Sequence, residues 1–131
     1  MAELAVATLK LGIDDYFYLG TPYSKWVHGL DDANEVAQKL SGRLLLEGIV
    51  VFTPIGHSHG IAKASGIDPF DHSIWLPADR PFVMKAFGLI VAALPGWRDS
   101  FGIGEEIKWF KEQKKPRYLL DPHLLTVRPL P

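Results

Sequence analysis

The stretch Pro95-Gly96-Trp97-Arg98-Asp99-Ser100-Phe101-Gly102-Ile103-Gly104-Glu105-Glu106 concentrates residue types that can do chemistry. It follows the apolar run Gly88 to Leu94, which reads as a buried strand, and precedes Ile107 to Lys115, which reads as an amphipathic helix. A strand end that opens a helix is the usual ligand position of an open α/β sheet. Ser100 can cap that helix or grip an anion together with the free first-turn N–H groups. Gly102 and Gly104 let backbone approach a ligand closely. Glu106 falls within the first turn or just past it, where the helix dipole favours the ionised carboxylate. Such a carboxylate is a nucleophile suited to a sugar carbon. The same residues also spell an ordinary capped helix with a solvated Glu105-Glu106 pair, because glycine-rich strand-to-helix turns are common.

Other candidates lie upstream. Asp79 is expected to open the helix before the buried strand, as an N-terminal acid or as the second carboxylate of a pair with Glu106. In such a pair, split pKa values let one group attack while the other holds or donates a proton. Tyr18 ends a strand that points at the ligand edge, either as a core aromatic or as a hydroxyl that orients Glu106. Thr21 and Pro22 belong to the loop Gly20-Thr21-Pro22-Tyr23-Ser24, a second candidate for lining a pocket. Trp97 is placed to cover a base or sugar, and Arg98 to meet a phosphate. His57, His59, Asp71 and His72 are donors that suit zinc or iron. Their spacing fits no ligand motif, so no metal is expected, and His57 is assigned to hydrogen bonding with a ligand. A metal-dependent hydrolase built on His57, His59 and Asp71 stands as a third reading.

The elements that must position these residues follow in order. Tyr16 to Leu19 reads as a strand. Asp32-Ala33-Asn34-Glu35 has capping-box spacing, Val36, Ala37, Leu40 and Leu44 recur at helical spacing, and Gly48 is a natural stop. Ile49 to Phe52 is the next strand, which makes a βαβ unit with parallel strands. Residues 54–75 read as a long irregular loop, and 79–86 as a short helix with Pro81 in its first turn. Val83, Met84 and Phe87 are expected to face the sheet. Ile103, Ile107 and Phe110 share one face of the last helix, Pro116 ends it, and Tyr118 to Leu120 is a fourth parallel strand. Residues 124–127 add an edge strand or pack on a partner.

Composition bounds the rest. One domain over residues 1–131 is expected from this length. With 47% hydrophobic and 22% charged residues the chain reads as globular. A net charge of −1 offers no electrostatic case for nucleic acid or a membrane surface. The absence of cysteine excludes disulfides, thiolate metal sites and Cys nucleophiles. No apolar run approaches a membrane span and the N-terminus makes a poor signal peptide, so the cytoplasm is the expected location.

Together the motifs carry a resemblance. Tyr18-Leu19-Gly20-Thr21-Pro22, Asp79 and Ser100-x-Gly102-x-Gly104-x-Glu106 resemble, in order and spacing, the nucleoside 2-deoxyribosyltransferase-like superfamily over about residues 16–120. That group includes deoxyribosyltransferases, nucleoside-monophosphate N-glycosidases and small uncharacterised bacterial proteins. The resemblance implies a three-layer, flavodoxin-like (Rossmann-like) parallel sheet with helices on both faces. It implies Glu106 as nucleophile at the anomeric carbon, Asp79 near the leaving base, Tyr18 as the first-strand tyrosine and Ser100 as the serine of a phosphate-holding turn. The substrate would be a nucleoside or nucleoside 5′-monophosphate, with no cofactor, in a homodimer or larger homo-oligomer. The transferases place an acid where Ser100 stands and borrow an asparagine from a neighbouring C-terminal region. The one asparagine here is Asn34, so hydrolysis is expected over transfer. A non-catalytic nucleotide-binding or sensing module would keep the same turn.

Overall fold

In a computed structural model that describes residues 3–131, the chain forms a mixed sheet with helices on both faces. Its strands are β1 (Leu4–Ala5), β2 (Phe17–Gly20), β3 (Val51–Phe52), β4 (Gly88–Ala92), β5 (Arg117–Asp121) and β6 (Thr126–Pro129). Its helices are α1 (Leu30–Leu46), α2 (Pro54–Ser65), α3 (His72–Lys85) and α4 (Phe101–Glu112). The sheet order is β1-β6-β5-β4-β2-β3. The four strands β3, β2, β4 and β5 run parallel, while β6 and β1 are antiparallel additions. The expected parallel α/β sheet is therefore present, and residues 126–129 extend it between β5 and β1.

Alternation along the strands divides the core into two layers. Phe17 and Leu19 of β2, Ile90 and Ala92 of β4 and Leu120 of β5 pack with Leu40 and Leu44 of α1. Tyr18, Leu89, Val91 and Leu119 face the other way, onto Val83 of α3 and Ile103 and Phe110 of α4. Each such side chain contributes roughly 1.5–3 kcal/mol on burial. Met84 and Phe87, expected against the sheet, are instead partly exposed, because α3 turns only Val83 fully inward and the buried Ala86 lies just past its end.

Gly88 shows how tightly β4 is set. A Cβ there would stand 2.6 Å from the Pro116 carbonyl oxygen and 3.0 Å from a Phe17 ring carbon. The first neighbour is backbone and cannot swing aside. Gly88→Ala is expected to destabilise the fold by about 1–3 kcal/mol through overpacking. A thermal unfolding midpoint within a degree of the parent's would refute this.

Several local expectations are corrected. The capping box at Asp32 does not form: α1 begins earlier, at Leu30, with Gly29 as its N-cap residue. The Asp32 carboxylate accepts the Trp26 indole N–H at 2.7 Å instead. Residues 54–75 are mostly helical. Thr53 caps α2 by accepting the Gly56 N–H, Pro54 occupies its first turn, and Gly66 ends it in the left-handed region at φ 80°. Helix α3 starts at His72, capped by Asp71, so Pro77 and Pro81 both lie inside it. Asp79 is therefore mid-helix rather than first-turn.

Candidate functional site

The parallel strands change direction of travel between β2 and β4, since β3 lies on one side of β2 and β4 on the other. In open α/β sheets the crevice beyond the carboxyl ends of such a pair is where ligands bind. Here that crevice is a cavity of about 100 Å³. The loop after β2 supplies Thr21, Tyr23 and Ser24, and α2 supplies Ile55 and Ser58. His72, Trp75, Leu76 and Asp79 come from α3, at the spacing that puts four side chains on one helical face. Ser100, Gly102, Ile103 and Glu106 come from the start of α4. The two carboxylates that the sequence paired thus line one cavity.

Local sequence explains the placement of Glu106. Ser100 accepts the Ile103 N–H at 3.3 Å and starts α4. Glu106 lies in the second turn, one turn beyond Gly102, and so points the same way. It is 8% exposed, packed against β2. A Cβ on Gly20 would come within 2.9 Å of its Oε1, so glycine at the end of β2 makes room for the carboxyl.

Burial has an electrostatic consequence. Loss of water pushes the Glu106 carboxyl up to about 8; the Tyr18 hydroxyl pulls it back, and Asp79 adds to the rise. Burial likewise pushes Asp79 up to about 6. The expectation that the helix dipole keeps Glu106 ionised is corrected. A dipole effect of about 0.3–1 kcal/mol does not offset removal of a carboxylate from water. As a coupled pair the two carboxyls hold one proton between pH of about 6 and about 8.

Tyr18 lies wholly buried beneath the cavity rather than in its lining. Its own pKa is raised, by burial first and then by the Glu106 and Asp79 charges. Among the described residues no acceptor meets its hydroxyl in hydrogen-bond geometry, so its influence on Glu106 is adjacency rather than a formed bond. The buried Thr21 hydroxyl, on the cavity wall, also lacks a partner. An orphaned buried polar group costs about 1–3 kcal/mol, and the Thr21 hydroxyl on the wall is one that a polar ligand could satisfy.

Other expected residues go elsewhere. Pro22 is buried outside the cavity lining, and Gly104 is exposed on α4, with no atom within 4 Å of a Cβ built there. Trp97 is outside the lining: it packs on the α4-side core, and Arg98 lies 4.7 Å over its ring. His57 is turned to the aromatic pair Phe52 and Phe82, 5.6 and 5.7 Å away. Asp71 caps α3 and His59 is held by other partners, so the metal-hydrolase triad does not assemble. Among the described residues, no three His, Asp or Glu side chains gather as a metal site.

Sequence reasoning missed one constellation. The Tyr23 hydroxyl meets His59 Nδ1 at 2.6 Å, and His59 Nε2 meets Asp31 Oδ1 at 2.7 Å. Lys63 holds the same Asp31 at 2.9 and 3.1 Å. They come from two separate stretches of the chain, Tyr23 with Asp31 and His59 with Lys63, and share no motif. A separate groove of about 550 Å³, bordered by Lys111, Lys115, Arg117 and Leu130, has no acid among its lining residues.

Residues 15–121 match the family described as a domain of unknown function (DUF1937), and the chain belongs to that family. The match spans all four parallel strands and every cavity residue named above. No curated protein matches the chain. Among the described residues no helix is long and apolar enough to cross a membrane.

Proposed function

We propose that this protein cleaves the N-glycosidic bond of a nucleoside or nucleoside 5′-monophosphate, with water as the acceptor. The observation that carries the proposal is the convergence of Glu106 and Asp79 on one cavity, where together they hold one proton near neutral pH. Breaking an N-glycosidic bond builds positive charge on the sugar and negative charge on the departing base. A carboxylate answers the first, by contact or by a covalent ester, and an acid answers the second.

Glu106 is the nucleophile in this reading and Asp79 the acid. In the free protein the proton favours Glu106, the more strongly shifted of the two. A sugar acquiring positive charge next to Glu106 favours its ionised form, because an opposite charge within about 4–6 Å lowers a carboxyl pKa. The Tyr18 hydroxyl acts in the same direction. The proton then belongs on Asp79, facing the leaving base. The lining contains no lysine or arginine. A 5′-phosphate would rest on the hydroxyls of Ser24, Ser58 and Ser100 and on the free amides of α4.

A panel of ribo- and deoxyribonucleosides and their monophosphates tests this, read as free base by chromatography. Release from at least one member is expected, with one base family preferred. A second reading, a nucleotide-binding module without turnover, is favoured by the protonated state of free Glu106 at neutral pH. Thermal stabilisation by a panel member without release of its base would select that module and overturn the enzyme.

A further inference from the structure

Tyr23 stands in a wall between two spaces. On one side is the cavity of Glu106 and Asp79, and on the other a cleft of about 300 Å³ bordered by Asp31, His59 and Lys63. The hydrogen-bonded line runs from the cavity wall through the core to solvent: Tyr23 is half-buried, His59 is buried at 8% exposed and Asp31 lies in solvent. Lys63, then His59, hold the Asp31 carboxyl below its usual range, so it is ionised and can only accept. His59 Nε2 therefore bears a proton, and in the tautomer with Nδ1 bare that nitrogen accepts from the Tyr23 hydroxyl. That tautomer leaves the lone pairs of the Tyr23 oxygen free to accept a further proton.

We propose that Tyr23, His59 and Asp31 form a proton relay that activates water for the second, hydrolytic half of the reaction. The inference rests on the glycosidase reading of the cavity. In the first half, Glu106 bonds to the anomeric carbon and the base leaves with the proton of Asp79. In the second half, water bonds to that carbon. One water proton passes to the Tyr23 oxygen as the proton of Tyr23 passes to His59 Nδ1. The carbon–oxygen bond to Glu106 breaks, and its electron pair stays on the carboxylate. The imidazolium is held by Asp31 across Nε2–H until it releases its proton to solvent, and Asp79 takes up an equivalent one. Tyr23 is the group that meets the water; His59 and Asp31 are positioning residues, in the arrangement that makes a weak acid serve as a base in hydrolytic triads.

The test uses Tyr23→Phe and Asp31→Asn in the full chain, each checked for native unfolding behaviour, on a nucleoside that the parent cleaves. Removing a general base slows its step by about 10²–10⁴-fold. Tyr23→Phe is expected to release base in a burst equal to the enzyme concentration, then turn over at least 100-fold more slowly than the parent. Intact mass should show the glycosyl adduct, and azide, which needs no proton removed, should restore turnover. Asp31→Asn should show the same pattern more weakly. A purely structural role lowers stability without a burst or azide rescue. Parent-like turnover in Tyr23→Phe, or slow turnover without a burst, overturns the relay and leaves the glycosidase reading standing. No base release by the parent chain overturns both.

Discussion

Replacing Glu106 by glutamine is expected to lower base release by about 10⁴-fold or more, the scale seen when a group central to covalent catalysis is removed. The amide fills the same space against Gly20 and β2, so the fold survives while the nucleophile does not. Asp79→Asn should cost less, about 10²–10⁴-fold, because its role is proton transfer. Its effect should also depend on the base: large for one that must be protonated to leave, small for a good leaving group. Single-turnover rates with two nucleosides of different leaving ability would measure both. If Glu106→Gln retained more than about a tenth of parental turnover, a covalent role would be untenable and Asp79 would have to carry the reaction.

Much of this arrangement was written locally in the chain. The runs Phe17 to Leu19, Gly88 to Ala92 and Tyr118 to Leu120 are apolar because both of their faces are covered, and they became the parallel strands β2, β4 and β5. Ser100 announced α4 because a hydroxyl three residues before a free N–H is a cap at any depth in the fold. Helix α2 was hidden because Pro54-Ile55-Gly56-His57-Ser58-His59-Gly60 has low helix propensity, and packing against α1 outweighs that. Its ends were nevertheless marked, by Thr53-Pro54 and by Gly66. Asp79 was misplaced because Pro77 and Pro81 look like a helix start, although Asp71 had already opened α3. The line Tyr23–His59–Asp31 depends on two helices and a loop meeting in space, which no spacing encodes. The charge state of Glu106 also escaped, because periodicity tells which residues share a face but not how tightly a second-turn carboxyl packs against Gly20.

That depth makes a second large effect, one that needs no substrate. Glu106→Gln is expected to be more stable than the parent at pH 9, by on the order of a few kcal/mol, and nearly equal to it at pH 4.5. Unfolded, the carboxyl titrates near its ordinary 4.5; folded, it is pushed up to about 8. Below pH 4.5 both states are protonated and Glu106 contributes no pH dependence. Between 4.5 and about 8 the unfolded chain has lost a proton that the native one keeps, so stability falls as pH rises. Above about 8 both states are ionised and the full cost of the buried charge remains. Asp79 adds a change of the same sign between its ordinary 3.8 and about 6. Asp31 and Asp121, whose carboxyls are lowered, act in the opposite direction, but in acid below this window. Taking the difference between parent and Glu106→Gln cancels them. Urea unfolding followed by tryptophan fluorescence at pH 4.5, 7 and 9 would trace the difference. A gap that grows with pH is the mark of a carboxyl kept in an apolar setting at a cost to folding, as catalytic acids and bases commonly are. A gap of the same size at all three pH values would mean that Glu106 is solvated, and a solvated glutamate could not share a proton with Asp79 across the cavity.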